Sequence, residues 1–529
     1  MSPFSFLDRD HSIAPAGYSR WRVPPAALAI HLSIGQAYAF SVFNLPLSTL
    51  VGFDHAAPTD WKLSTIGWIF SVAIVFLGLS AFTFGRWLEA AGPRKAMFAS
   101  ACCFAGGFLV AALGVSLHSI AIIYLGYGVL GGIGLGLGYI SPVSTLMKWF
   151  PDRPGMATGM AIMGFGGGAL IGSPLAAALM KNFATSTDVG VMQTFIVMAL
   201  VYFVFMLGGA FGYRVPPSGW KPEGWTPPVA QTANAMITQR HVHVKKVWGI
   251  PQFWLVWLVL CMNVSAGIGV IGMASPMLQE VFGGSLIGVA KKIGELDTAQ
   301  KAAIAGIAAG FTALLSLSNI GGRFFWARIS DKLGRKLTYT IFFVLGGVLY
   351  ASLPSSAGAG STLLFVGAVC VILSMYGGGF ATVPAYLADL FGTQMVGAIH
   401  GRLLTAWATA GILGPVIVNY MRDYQLGLGI PREQVYNQTM YILVGMLVIG
   451  LIANLSIRPV ADKHFMNDEE LAEEKRLAHD RAAASDVGSG PGAGGTTPTF
   501  VVVLAWAAVG IPLAWGVYKT LLTVGKFFA

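Results

Sequence analysis

The chain has 529 residues, 55% of them hydrophobic and 11% charged, with a net charge of +10 and a mean hydropathy of +0.68. Soluble chains carry roughly a quarter of their residues as Asp, Glu, Lys and Arg, so this composition excludes a soluble domain and specifies a polytopic membrane protein. The positive charge lies mostly in short loops between apolar runs, a pattern that sets topology and does not point to nucleic acid.

Crossing a bilayer takes roughly 20 apolar residues. The first six such runs lie near 24–50, 62–84, 96–115, 119–147, 155–180 and 191–213. A polar, proline-rich stretch at 214–248 separates them from six more, near 250–280, 303–327, 337–354, 361–387, 398–421 and 436–457. An acidic segment, 467–486, and the sequence SGPGAGGTTP lead to a last run near 499–522. The expected organisation is an N-terminal segment (1–23), a six-helix bundle (24–213), a central loop (214–249), a second six-helix bundle (250–457), a linker (458–498) and an additional helix (499–529). The fold class is therefore all-α and polytopic. Arg94, Lys95, Lys148, Arg153, Arg214, Arg328, Lys332 and Arg335 fall in alternate loops, which predicts a cytoplasmic N-terminus. No compact apolar segment precedes a cleavage site in the first 23 residues, so no removable signal peptide is expected. The four cysteines all lie in apolar runs without metal-ligand spacing, and neither a metal nor a cofactor is expected.

The chain repeats itself at an offset of 242. Arg86 matches Arg328, Glu89 matches Asp331, Gly92 matches Gly334, Pro142 matches Pro384 and Gly172 matches Gly414. Arg323 breaks this symmetry, because its counterpart is Ala81. Eight residues before Asp331, it sits about 12 Å inside its helix from that end. Charge in a bilayer core is costly, and a guanidinium fork matches a carboxylate, so Arg323 is the leading candidate for binding an anion. Asn319, one turn away, is a candidate support for it.

Two loop segments, GRWLEAAGPRK (85–95) and ARISDKLGRK (327–336), resemble the loop motif of the major facilitator superfamily. WFPDRPG (149–155), GAIHGRLLTAW (397–407) and NIGGRFFWARISD (319–331) resemble, more narrowly, the oxalate/formate antiporter family within it, over roughly residues 24–457. The last helix resembles a small one-helix subunit that accompanies some of these transporters, here fused. The resemblance implies two bundles that rock about a midplane site. It also implies that Arg86, Glu89, Arg94, Arg328, Asp331 and Arg335 form charge pairs that lock the bundles in one state.

The same resemblance places Tyr38, Tyr139, Phe165 and Tyr376 where cavity-lining aromatics stand, and Gln36 adds a donor near Tyr38 in sequence. At the place where oxalate-exchanging members carry a second cation, a Lys, this chain has Trp407, whose repeat partner is Phe165. Arg402 lies five residues earlier, about 140° round the helix and roughly 7 Å along it, and is expected to pair with Asp389 instead. One fixed cation neutralises a monocarboxylate but leaves a dianion half compensated in a low-dielectric site.

The expected function is secondary active transport, by exchange, of monocarboxylates of the formate, pyruvate or lactate type. The alternatives are oxalate/formate exchange, proton-coupled carboxylate symport, or a membrane sensor that recruits partners through its long tail. No nucleophile-and-base arrangement points to an enzyme. Small carboxylate anions and the lipid bilayer are the expected partners, with a monomer in a bacterial cytoplasmic (inner) membrane.

Overall fold

A computed structural model describes residues 5–7, 9–53, 56–217, 220–224, 236–474, 476–477 and 497–525. Among them, thirteen helices are long and apolar enough to cross a membrane. They are α1 (Arg20–Leu47), α2 (Leu63–Phe84), α3 (Pro93–Ser116), α4 (Ile120–Trp149), α5 (Gly159–Phe183), α6 (Val191–Gly212), α7 (Pro251–Ile287), α8 (Thr298–Leu333), α9 (Arg335–Gly358), α10 (Thr362–Phe391), α11 (Val396–Gly427), α12 (Asn437–Ser456) and α13 (Thr499–Thr523).

Packing obeys the sequence repeat. In the first half α1 packs on α5, α2 on α4 and α3 on α6; six helices later α7 packs on α11, α8 on α10 and α9 on α12. The seams between halves, α2 with α11 and α5 with α8, exchange under the same operation. Gly92 and Gly334, equivalent in the repeat, both cap the next helix with positive φ (85° and 84°), a conformation that disfavours any side chain. The interior prolines Pro142 and Pro384 also occupy equivalent places, in α4 and α10. Such prolines are tolerated in membrane helices where neighbours satisfy the freed backbone groups.

Burial ranks the helices by depth. The apolar window of α1 is 94% buried and that of α7 83%, whereas α13 is only 11% buried and lies outermost. Within α1 the helix tightens to a 3-10 turn over Gly35–Phe43, longer than such runs usually are. At one end of the molecule, the central segment hydrogen-bonds the end of α10, Thr238 N to Asp389 O (2.9 Å) and Val242 N to Phe391 O (2.9 Å). The N-terminal segment is held at the same end, where Arg20 makes a two-pronged ion pair with Asp152 (2.7 and 3.1 Å). We call this the central-loop end.

In the C-terminal copy of the loop motif, the ion pairs among the described residues stay within one half. Arg335 reaches Asp331 (2.6 Å) and Asp389 (3.3 Å), tying the ends of α8 and α10 to the start of α9. That departs from the expected lock between bundles, and it gives Asp389 a partner other than Arg402. Arg402 instead donates to the Val244 carbonyl and lies 5.6 Å from the Trp248 ring. Arg94 donates to Phe6 O (3.1 Å), and Arg328 is exposed. The side chains of Arg86 and Glu89 lie outside the described residues.

Candidate functional site

Arg323 is 1% exposed, among the largest fully buried side chains of the protein. Its Nε donates to Asn319 Oδ1 (2.9 Å) and its Nη1 to the Ile162 carbonyl (3.0 Å), so the guanidinium on α8 reaches across the α5–α8 seam. Among the described residues no carboxylate forms an ion pair with it. A guanidinium has donors left after two such bonds. Room for the fork comes from Gly166 in the run GFGGG: a Cβ there would stand 2.9 Å from Arg323 Nε and 3.0 Å from Asn319 Oδ1.

An aromatic cage surrounds this cation. Tyr38 on α1 and Tyr376 on α10 share a hydrogen bond between their hydroxyls (2.6 Å) that joins the two halves. Phe165 packs edge-on against Tyr38 (5.0 Å between centroids), Tyr139 (5.4 Å) and Trp407 (5.4 Å). Trp407 also meets Tyr139 (5.3 Å) and Phe380 (4.6 Å), and the Arg323 guanidinium stands 5.7 Å from the Phe380 ring. Trp407 is 1% exposed, and its indole N–H has no hydrogen-bond partner among the described residues. A buried donor left unpaired costs about 1–3 kcal/mol, so this one is poised for an acceptor. Among the described residues, no second Lys or Arg stands with these side chains.

Of the residues singled out in the sequence, Tyr38, Tyr139, Phe165, Asn319, Arg323, Tyr376 and Trp407 come together. Gln36 does not. Its Oε1 accepts from Tyr202 Oη (3.1 Å) inside the first bundle, and its amide nitrogen has no partner among the described residues. Two residues apart on a helix are far apart in angle, and the 3-10 turn keeps Gln36 and Tyr38 on different faces.

Three features escaped the sequence reading. Phe380 falls four residues after Tyr376 in YGGGF, the spacing that puts both rings on one helix face. His31, one polar residue in an apolar run, turns Nδ1 to the Ala161 carbonyl and Nε2 to the Tyr139 carbonyl (3.1 Å). Consecutive carbonyls of α5 thus meet His31 and Arg323. Near the opposite end of the molecule, Glu280 is wholly buried and accepts from Arg422 Nε (2.8 Å) and Tyr436 Oη (2.6 Å), with Arg432 at 3.3 Å.

Cavities lie between the halves. A large one of about 1340 Å³ opens at the end opposite the central loop, walled by the ends of α1, α5, α7, α8 and α11. Deeper, a cavity of about 10 Å³ touches Tyr38, Thr312, Ser316 and Asn319. It has room for about one water molecule. The tyrosine pair and Arg323 close the path beyond it.

A bundle of twelve helices related by a six-helix repeat, with a polar site at the seam, matches a known architecture. A family model described as Major Facilitator Superfamily matches residues 26–415. The chain belongs to the Major Facilitator Superfamily. This superfamily member is 26% identical over 391 residues to the oxalate:formate antiporter of Oxalobacter formigenes, covering 74% of this chain and 81% of that protein. It is 26% identical over 400 residues to apicoplast pyruvate carrier 1 of Toxoplasma gondii, covering 67% of this chain and 69% of the carrier. In three dimensions it is similar to a bacterial homologue of the human lysosomal transporter Spinster, with a TM-score of 0.56 at 16% identity, over 97% of this chain and 98% of that one. That last likeness speaks for the fold alone. The family makes the chain a multi-pass membrane transporter and not an enzyme.

Proposed function

We propose that the protein exchanges small monocarboxylates by alternating access, with Arg323 as the carboxylate-binding cation. One observation carries this reading: a fully buried guanidinium, free of any carboxylate partner among the described residues, stands in an aromatic cage that holds no second cation. One carboxylate oxygen takes the Arg323 fork. Trp407 Nε1 and the Tyr38 and Tyr376 hydroxyls are the neutral donors at hand for the other. The substrate must part the tyrosine pair to enter, which couples binding to the contact between halves. A dianion would leave its second charge facing rings, at a steep desolvation cost. A permanent cation without its anion also disfavours reorientation of the empty carrier, which makes transport an exchange.

Placed in a bacterial inner membrane, the protein has a Lys and Arg pattern that supports a cytoplasmic N-terminus, so the 1340 Å³ cavity faces outward in this reading. Oxalate is the second reading, favoured by the name of the Oxalobacter formigenes relative. The test is counterflow in liposomes holding purified protein, loaded in turn with formate, pyruvate, lactate and oxalate. Exchange of a monocarboxylate that disappears in Arg323→Ala and needs no pH gradient is the expected result. Strong oxalate exchange would shift the substrate to the dianion, and undiminished exchange in Arg323→Ala would remove the site assignment.

A further inference from the structure

Of the thirteen helices, α13 has no counterpart in the repeat, and its place in the molecule is specific. It starts at the central-loop end, where Ser19 N donates to Thr497 Oγ1 (3.1 Å) and Trp506 Nε1 to Trp21 O (3.1 Å), and it runs alongside α1. Val509 packs with Leu28, Ala29 and Leu32 of α1. Farther along, α13 lies on both α5 and α8, so it spans the seam between the halves. Gly516 permits the approach: a Cβ there would stand 2.5 Å from the Leu170 carbonyl oxygen of α5. Thr523 packs on Gly310 of α8.

The last turns of α13 therefore reach the rim of the large cavity, where Lys519, Thr520 and Thr523 join its wall. Charge in that wall is one-sided. Lys62, Lys181, Lys301, Arg422, Arg432 and Lys519 line it against two acids, Asp60 and Asp423. Arg422 and Arg432 are occupied by Glu280, and Arg422 by Asp423 as well (2.9 Å). Asp60 spends its carboxylate on the backbone N–H groups of Val51, Gly52 and Ala57 (2.8–3.0 Å). Lys62, Lys181 and Lys519 make no ion pair among the described residues. Each comes from a different element: the start of α2, the end of α5 and α13.

We propose that these three lysines form an anion-collecting site at the cavity mouth, and that α13 belongs to the substrate path because it supplies Lys519. A concave wall of one sign in low-dielectric surroundings concentrates counter-ions and speeds their capture. The ligand class is a small carboxylate anion, so the inference rests on the transport reading above. Capture there precedes, and is separate from, the tight recognition at Arg323. The additional helix then acts as a fixed part of the entrance, seated across the seam that must flex in each transport cycle.

Full-length protein in liposomes tests this, with Lys519→Gln, Lys519→Glu and Lys519→Arg compared by initial counterflow rate from each membrane face. At low ionic strength, Lys519→Glu is expected to raise the half-saturating concentration several-fold on one face only, with an unchanged maximal rate. Lys519→Gln should do so less, and Lys519→Arg not at all. Raising an untransported salt well above 0.1 M, where screening shortens to below about 10 Å, should erase the difference. Adding Lys62→Gln or Lys181→Gln to Lys519→Gln should deepen the effect. Wild-type kinetics in Lys519→Glu at low salt would overturn the collecting site while leaving Arg323 in place. A salt-insensitive loss, equal on both faces, would overturn it too, since that marks a structural role for α13. Failure of wild-type protein to move any acid would overturn the transport reading, and this inference with it.

Discussion

Phe165 and Trp407, equivalent positions in the two halves of the repeat, meet across the bundle interface with ring centroids 5.4 Å apart. Duplication thus placed one aromatic ring on each side of the site and left the pair in contact. In the proposed site Arg323, which has no such twin, supplies the asymmetry that a charged substrate needs. The Trp407 N–H, without a partner among the described residues, sits at the position where a Lys would add a second charge. Trp407→Lys should move preference from monocarboxylate toward oxalate by about tenfold, equal to ~1.4 kcal/mol of differential binding. The ratio of formate to oxalate counterflow measures it; an unchanged ratio would remove Trp407 from selectivity.

Gly166 controls how the cation is aimed. Gly166→Ala would push a methyl group to 2.9 Å from Arg323 Nε and 3.0 Å from Asn319 Oδ1, so the fork must turn away from its present direction. A raised half-saturating concentration is expected, with little change in thermal stability, because the displaced group is a side chain and not backbone. Parallel transport and melting measurements separate this outcome from general unfolding.

Much of the architecture is legible in the chain itself. Apolar runs give the helices because lipid leaves backbone groups no other partner, and the 242-residue offset gives the symmetry. Arg323 stands out for the same reason, as a charge that lipid penalises. The errors have physical causes too. Gln36 was grouped with Tyr38 by nearness in sequence, yet a 3-10 turn in a buried helix sets their faces apart. The motif charges are read as a lock between bundles, but Arg335 finds both its carboxylates within its own half. Nor does any periodicity announce the seat of α13: a helix that meets lipid on most sides has no polar face to mark which side packs.

The Glu280 network should behave as a buried ion pair. Arg422→Ala would leave the carboxylate buried with only Tyr436 and the more exposed Arg432, costing ~3–5 kcal/mol. Adding Glu280→Gln to that variant removes the stranded charge and should restore a good part of the stability. A melting-temperature double-mutant cycle reads this directly, and purely additive losses would contradict it.

Acid should loosen the N-terminal segment. Arg20 holds the Asp152 carboxyl below its ordinary value, through the paired hydrogen bonds between them. A depressed folded-state value means that the stabilisation is present above the unfolded value, near 4, and fades as pH falls through the folded one. Wild-type protein should therefore exceed Asp152→Asn in stability at neutral pH, with the gap closing below about pH 4. A gap independent of pH would assign the loss to packing and not to charge.

The seat of α13 bears on how the molecule is built. It follows the twelve repeat helices in the chain and covers a groove between α1, α5 and α8 that would otherwise face lipid chains. A free peptide would dock there only at a concentration set by its own synthesis. The covalent join through residues 458–498 fixes its stoichiometry at one per carrier and makes its docking an intramolecular event. Every copy of the chain carries this helix with it, and none has to wait for one.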